Sequence, residues 1–298
     1  MYAILKDTNS AEFVNMIIQA GAEVNVMPPL GLSALMLAVE RNADPQVTKQ
    51  LVDGGADVHF VRPDGASVVM QAAKSSESAE TIRILLDAGA DIQALDSRGL
   101  TLLQIAAAHN PSVEVLEILI DSGLDMDVLD SAGSPLLSYA AALNPNPMIA
   151  KTLLDAGAKI DQRGELEYTP LMSALEYNRK PEMSVFLIEA GAKLDSINDK
   201  QDHALVCLFD NRTETQILEA LINRGIDING QYFLGGTPLM MAVVMAKNPE
   251  FISILLDAGA DPNIVHEEGR KAVEYGPQSV DESLMESEPF KRLKRLTD

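Results

Sequence analysis

The sequence contains no tryptophan, and only 4% of its residues are aromatic. A core made from it therefore depends on Leu, Ile, Val, Ala and Met instead of a few large aromatic anchors. The single cysteine, Cys207, cannot form an intramolecular disulfide, which favours a reducing, cytoplasmic compartment. No apolar run approaches the roughly 20 residues that cross a bilayer, so we expect no membrane partner.

Basic residues are scarce, with 23 Lys and Arg against 44 Asp and Glu and a net charge of -21. This excess repels phosphate backbones, because nucleic-acid binding relies on clustered Lys and Arg. We therefore expect no nucleic-acid partner. The basic cluster near the end of the sequence is interpreted as a solvated helix face; it comprises Lys291, Arg292, Lys294 and Arg295.

A glycine recurs every 34 residues along the chain. The series comprises Gly21, Gly55, Gly89, Gly123, Gly157, Gly191, Gly225 and Gly259. A second series follows ten residues later at Gly31, Gly65, Gly99, Gly133 and Gly235, with Glu167 and Gln201 in its two gaps. Such a fixed period indicates a repeat architecture.

The residue pattern of each 34-residue unit predicts two helices. The first begins at a Ser or Thr and contains a buried alanine column, which implies close helix packing; the column comprises Ala38, Ala72, Ala106, Ala140, Ala174 and Ala242. The second begins at a capping column of Asp44, Ser78, Ser112, Asn146 and Asn248, often followed by proline. The glycine of the first series then suits a left-handed C-terminal cap.

Residues 235–263, GGTPLMMAVVMAKNPEFISILLDAGADPN, resemble an ankyrin repeat, which pairs a Thr-Pro-Leu helix start with a Leu-Leu-x-x-Gly-Ala-Asp ending. The resemblance implies an all-α ankyrin-repeat solenoid of helix-turn-helix pairs joined by short turn or hairpin loops. The unit departs from the commonest ankyrin length by one residue. Met36, Met70 and Gln104 also stand where the family usually has His. The Asn-Pro turn is similar to variants in bacterial ankyrin proteins.

The pattern predicts three segments. Residues 1–28 form a partial N-terminal capping repeat, residues 29–265 form seven full repeats, and residues 266–298 form a C-terminal capping repeat with a basic tail. In that tail, Phe290, Leu293 and Leu296 are expected to fold back on repeat seven. Since the first repeat begins partway through its pattern, an upstream export signal would instead place the protein in the periplasm or outside the cell.

Stacked repeats present an extended surface without a deep pocket, which favours a non-catalytic scaffold for protein–protein interaction. The resemblance implies binding on a concave face formed by turn tips and first helices. We expect a monomer, no cofactor, and a protein partner whose surface is basic or mixed. Two alternatives remain: a secreted bacterial effector that binds a host or competitor protein, and a regulatory subunit of an enzyme.

Apolar and aromatic residues at the expected surface columns are the candidate partner-binding residues. They are Leu100, His109, Leu143, Leu166, Tyr168, Tyr177, Phe233, Leu234, Val244 and Met245, with the five from His109 to Tyr177 at the centre. The alternative is a register shifted by one residue, in which these side chains pack inward.

The sequence indicates no catalytic or metal-binding constellation. The four histidines lack metal-type spacing and are interpreted as surface hydrogen-bonding residues. Asp125, Asp127 and Asp130 are interpreted as turn residues rather than calcium ligands, because the glutamate that closes a calcium loop is missing.

Repeat six departs most from the pattern and is expected to be the least stable interior repeat; its departures are Gln201, His203, Leu208 and Ile226.

Overall fold

The computed structural model describes residues 11–26, 32–164, 167–199, 203–279 and 283–297. Within these ranges the regular structure is helical, apart from an isolated bridge between Val61 and Ser67. The helix Ala11–Gln19 lies in the segment predicted to be a partial N-terminal repeat, and its Val14 is fully buried. Gln201 lies outside the described residues.

In repeats one, two, three, five, six and seven, the first helix is capped by the side chain that precedes it. The Ser33 hydroxyl accepts a hydrogen bond from the Met36 amide at 3.1 Å, and the Thr169 hydroxyl accepts one from Met172 at 3.3 Å. These bonds satisfy a first-turn amide that the helix leaves unpaired. The predicted alanine column is buried in all six repeats that carry it. The first helices are Ala34–Glu40, Val68–Ser75, Leu102–His109, Leu136–Leu143, Pro170–Tyr177, Ala204–Asn211 and Pro238–Met245.

The second helices end as the glycine pattern predicts. All eight glycines of the first series have left-handed backbone, with φ between 79° and 104°. Asp44, Ser112 and Asn248 accept first-turn amides as expected, whereas the Ser78 side chain does not. The second helices are Pro45–Asp53, Ala79–Asp87, Val113–Asp121, Pro147–Asp155, Pro181–Glu189, Thr215–Asn223 and Glu250–Asp257.

The chain forms two compact units, one of Met1–Ala140 with Met148–Ala158 and the other of Ala141–Pro147 with Lys159–Asp298. Within each unit, first helices pack on the first helices of neighbouring repeats, and second helices pack on second helices. Each repeat thereby buries the apolar face of the next. A leucine column runs through both cores at 1% exposure or less: Leu51, Leu85 and Leu119 in the first unit, and Leu187, Leu221 and Leu255 in the second.

Buried asparagines join successive first helices. In the first unit, Nδ2 of Asn110 donates to the carbonyls of Ala73 and Ser76 at 3.0 and 2.9 Å. In the second unit, Asn178 donates in the same way to Ala141 and Asn144 at 2.8 and 2.7 Å. The accepting carbonyls lie at the end of the preceding first helix, where no intrahelical donor remains.

The C-terminal segment follows the repeat register before it departs from it. Gly269 lies 34 residues after Gly235 and has the same left-handed backbone. The 3₁₀ helix Ala272–Gln278 packs on the first helix of repeat seven, and a second 3₁₀ turn, Leu284–Glu286, precedes the final helix Glu288–Thr297. A Cβ at Gly276 would lie 2.4 Å from the Phe290 ring, so glycine permits this close packing.

The final helix folds back on repeat seven as expected, but with two of the three predicted apolar contacts. Phe290 and Leu293 are buried, whereas Leu296 is 50% exposed. The prediction is therefore wrong for Leu296, because the last turn of the helix extends past the surface that it covers. Arg292 in this helix forms an ion pair with Asp257 at 2.6 Å.

Candidate functional site

In repeats two, three, four, five and seven, where the structure describes the paired ends, the second turn is a tight hairpin closed by backbone hydrogen bonds. In repeat three, the Asp96 amide donates to the Leu100 carbonyl at 3.0 Å, and the Gly99 amide donates to the Asp96 carbonyl at 2.9 Å. The same pairing joins Gly164 to Tyr168 and Tyr232 to Gly236. The three residues between the paired ends form the turn tip, and the paired residues form its base.

The expected exposure is wrong for Leu100 and Tyr168, which are only 4% and 7% exposed. Both residues lie at the base of their turns, where their carbonyls accept the closing hydrogen bonds. Their side chains are buried there and are not part of the exposed tip. The Tyr168 ring lies 6.5 Å from the Tyr177 ring, centroid to centroid. Burial and a hydrogen bond to Glu176 raise the pKa of the Tyr168 hydroxyl far above its ordinary value.

The other candidates differ in exposure and place. Leu143 and Tyr177 in the second unit are exposed as expected, at 49% and 56%, but they line neither of the two cavities described below. His109 is half-buried in the first unit. Leu166 lies outside the described residues, and so does the side chain of Phe233. Leu234, Val244 and Met245 come together in one groove of the second unit.

This repeat-seven groove is an apolar cavity of about 400 Å³. Its walls include side chains from the turn tip, the first helix of repeat seven and the C-terminal 3₁₀ helix: Leu234, Met240, Met241, Val244, Met245 and Tyr275. Met240 and Met241 are buried, Val244 and Met245 are half-buried, and Leu234 is 79% exposed. Methionine side chains adapt their shape readily, so such a groove fits apolar side chains of varied form.

Leu234 projects from a left-handed backbone, with φ 51° and ψ 27°. This conformation costs a non-glycine residue about 1–2 kcal/mol. The closed hairpin holds Leu234 in this conformation. A contact outside the hairpin adds to it, since the Leu234 carbonyl lies 2.8 Å from Nε2 of His266. A large apolar side chain is thus held in solvent at the mouth of an apolar cavity.

The C-terminal segment completes the groove, which we did not anticipate from the sequence. The Arg270 guanidinium lies 4.2 Å from the centre of the Tyr275 ring, and it also pairs with Glu268. The His266 ring meets the Tyr275 ring edge to face at 6.1 Å. The signal that could have shown this was Gly269, because its register continues the second glycine series beyond repeat seven.

A second cavity of about 240 Å³ lies in the first unit and is polar. Four of its lining residues are basic or titratable as bases: Arg62, Lys74, Arg98 and His109. Met70 and Ile105 also line it. We call it the His109 cavity.

Two of its arginines are already paired. Arg62 contacts Asp64 at 2.8 Å, and Arg98 contacts Asp96 at 3.0 Å. Asp96 also accepts the backbone amides of Arg98 and Leu100, at 2.8 and 2.9 Å. These bonds and the Arg98 charge outweigh partial burial and lower the pKa of the Asp96 carboxyl.

The sequence model for "Ankyrin repeats (3 copies)" matches residues 1–96, 35–130, 103–198, 137–232 and 171–266, which together extend over most of the chain. The chain belongs to the ankyrin repeat family. Its all-α repeat solenoid is similar to the crystal structure of the ankyrin repeat domain of Bcl-3, described as a unique member of the IkappaB protein family. That match has a TM-score of 0.53 and 25% identity over 74% of this chain and 96% of the other. A search of curated proteins finds no match.

Ankyrin repeats generally mediate protein–protein interaction and are typically non-catalytic scaffolds. Among the described residues, no helix of this ankyrin repeat protein has the length and apolar character needed to span a membrane. The Asp125 carboxylate accepts a hydrogen bond from the Asp127 amide at 2.9 Å, and the Asp130 carboxylate accepts one from the Ser134 amide at 2.7 Å. Both bonds agree with the interpretation of these residues as turn residues. Within the same described ranges, no cluster of His, Cys, Asp and Glu has the geometry of a metal site.

The interpretation as a surface hydrogen-bonding residue is wrong for His203, which is only 3% exposed. It stands where neighbouring ankyrin repeats have Thr, and its Nδ1 caps the first helix of repeat six by accepting from the Leu205 amide at 3.3 Å. Its ring packs 4.5 Å from the Tyr232 ring. Burial lowers the pKa of His203 to about 4, so the neutral ring that the cap requires is maintained at neutral pH.

Proposed function

We propose that this ankyrin repeat protein is a non-catalytic scaffold that binds a partner protein through the repeat-seven groove. The observation that carries the proposal is Leu234, an apolar side chain that is 79% exposed beside an apolar cavity of about 400 Å³. Exposed apolar residues next to a cavity are typical of interaction sites, because binding removes them from water.

The chemistry of the groove supports an apolar anchor on the partner. The volume falls in the range of about 300–1,000 Å³ that is usual for binding pockets. An aliphatic or aromatic side chain would contact Met240, Met241 and Met245 and would bury Leu234. The paired groups Arg270 and Glu268 at one edge offer polar contacts around that anchor.

The charge of the scaffold bears on the rest of the partner surface. With a net charge of -21, the protein steers basic or mixed surfaces toward it and repels strongly acidic ones. A partner with a basic surface around one apolar anchor therefore fits this protein best.

The test is a comparison of captured proteins. The protein and its Leu234→Asp, Met245→Asp double variant are immobilised, exposed to a lysate of the source organism, and the retained proteins are identified by mass spectrometry. A protein retained by the parent and lost by the variant is then purified, and its affinity for both is measured by calorimetry. We expect the double variant to weaken binding by at least about 100-fold, since two charges enter an apolar interface.

A matched control separates the groove from a general charge effect. Met285 is 49% exposed in the same unit and does not line the groove. Met285→Asp combined with Leu296→Asp adds the same charge outside the groove and should leave affinity unchanged. Equal loss in both double variants, or full retention by the groove variant, would contradict the proposed site.

A further inference from the structure

The His109 cavity of the first unit contains a cation without a counterion. Lys74, near the end of the helix Val68–Ser75, lines the cavity and is exposed. Among the described residues its ammonium group forms no ion pair, unlike Arg62 and Arg98 beside it. Because Asp64 and Asp96 neutralise the two arginines, one positive charge remains in the cavity.

His109 lines the same cavity, and its surroundings disfavour the protonated form of its ring. Its half-buried ring lines the cavity together with Lys74 of the neighbouring first helix and Arg98 of the preceding turn. Burial, followed by the charges of Lys74 and Arg98, lowers the pKa of His109 below its ordinary value. The His109 ring is therefore neutral at neutral pH, and the Lys74 ammonium is the group that would pair with an anion placed between them.

The size and charge of the cavity select the class of anion. A single unpaired charge matches a carboxylate better than a doubly charged phosphate group. Met70 and Ile105 provide apolar surface for the methylene groups of an acidic side chain, and Gln71 adds a polar contact in the same lining. The rest of the protein repels acidic segments, so this cavity would give one acidic side chain a fixed place.

We propose that the His109 cavity binds a single Asp or Glu side chain of a partner protein, between Lys74 and His109. This rests on the proposed function, because it assumes a protein partner, but it concerns a different surface. The partner would then combine a largely basic or mixed surface with one acidic residue at a defined position.

The probe is a phage-displayed library of random dodecapeptides, selected on the full chain. Selected peptides are tested for binding to the parent, to Lys74→Gln and to Lys49→Gln. Lys49 is an exposed lysine of the same unit that pairs with Asp53, so its variant makes the same charge change outside the cavity. We expect a class of peptides that share one Asp or Glu and that bind Lys74→Gln about tenfold more weakly, while Lys49→Gln binds them as the parent does.

A double-mutant cycle assigns the contact. For one such peptide, replacement of its Asp or Glu by the corresponding amide should weaken binding to the parent about tenfold and should have little effect on Lys74→Gln. Fluorescence anisotropy measures all four affinities, and thermal unfolding checks that Lys74→Gln is folded. If no selected peptide distinguishes Lys74→Gln from Lys49→Gln, or if a phosphoserine version binds more tightly than the carboxylate, the proposal is overturned.

The two proposals fail separately. Acidic peptides that depend on Lys74 should bind the Leu234→Asp, Met245→Asp variant as well as they bind the parent. If the groove variant no longer binds those peptides, the proposal of a separate carboxylate site is overturned. If the groove variant loses only the captured protein, the result supports the repeat-seven groove and leaves the carboxylate site unaffected.

Discussion

Repeats three and six carry different residues at the same two positions of the 34-residue unit. Thr101 and His203 both cap a first helix, and Asn110 and Arg212 both donate to the end of the preceding first helix. Repeat three uses small neutral groups, and Gln104 adds a reciprocal bond to the Thr101 amide at 2.9 Å. Repeat six makes similar bonds with larger side chains that titrate or carry charge.

Both repeats place a hydrogen-bonding side chain at the same position, but the free-energy cost of burying that side chain differs between them. Asn110 pairs with the two carbonyls through one buried amide. Arg212, 5% exposed, reaches the Asn178 carbonyl and pairs with Glu214 at 3.3 Å, while its Nη2 has no hydrogen-bond partner among the described residues. A buried charge incurs a desolvation penalty that a neutral amide avoids. Repeat six should therefore be the weaker of the two.

The largest expected effect is the loss of the asparagine link in repeat three. Asn110→Ala should lower the free energy of unfolding by about 3 kcal/mol, because it leaves the Ala73 and Ser76 carbonyls without their donor inside the protein. Urea unfolding followed by circular dichroism measures the change. Asn223→Ala, the same substitution at an exposed helical position, should have little effect. A loss below about 1 kcal/mol for Asn110→Ala would show that repeat three does not depend on this link.

The second prediction concerns pH and the cap of repeat six. The unfolded chain protonates His203 near its ordinary pKa, while the folded pKa is about 4, so stability is lost as the pH falls from about 6.5 toward 4. Between pH 7 and pH 5 this amounts to about 2 kcal/mol. His203→Thr, which introduces the cap of the neighbouring repeats, should remove that part of the pH dependence. The exposed His59 provides the control as His59→Thr, which should leave the dependence in place.

Hydrogen exchange compares the two repeats directly. We expect the amides of the helix Ala204–Asn211 to exchange about tenfold faster than those of Leu102–His109, because local opening of repeat six releases a buried charge. Mass spectrometry of peptic fragments resolves the two helices. Equal protection of both helices would contradict the prediction that repeat six is the least stable interior repeat.

The smallest expected effect is the conversion of repeat six toward repeat three. Arg212→Asn should raise the free energy of unfolding by about 1 kcal/mol, because an amide can pair with the preceding helix without a buried charge. It should also slow the exchange of Ala204–Asn211. Arg212→Ala, which removes the donor altogether, should lower stability instead; a lower stability for both variants would mean that the Arg212–Glu214 pair is favourable where it stands.

Much of the fold could be predicted from local patterns. The glycine series predicted the left-handed helix ends, and the Ser and Thr column predicted caps such as those of Ser33 and Thr169, because both depend on backbone groups a few residues away. The candidate site was less predictable. Leu100 and Tyr168 were placed on the surface, yet the base of a hairpin buries them, and this depends on how the turn packs. The asparagine link also escaped notice, since its acceptors lie 34 and 37 residues away.

The sequence by itself determined the repeat length, the helix pairs and the ankyrin family, because these follow from short-range periodicity that recurs in every unit. The tertiary structure alone decided which of the surface candidates are accessible and which share a site. Leu234, Val244 and Met245 form a groove because the C-terminal segment brings Tyr275 against repeat seven, and Lys74 lies beside His109 because adjacent first helices pack together. Such neighbours are separated by about one repeat in the chain, so only the stacking of repeats places them together.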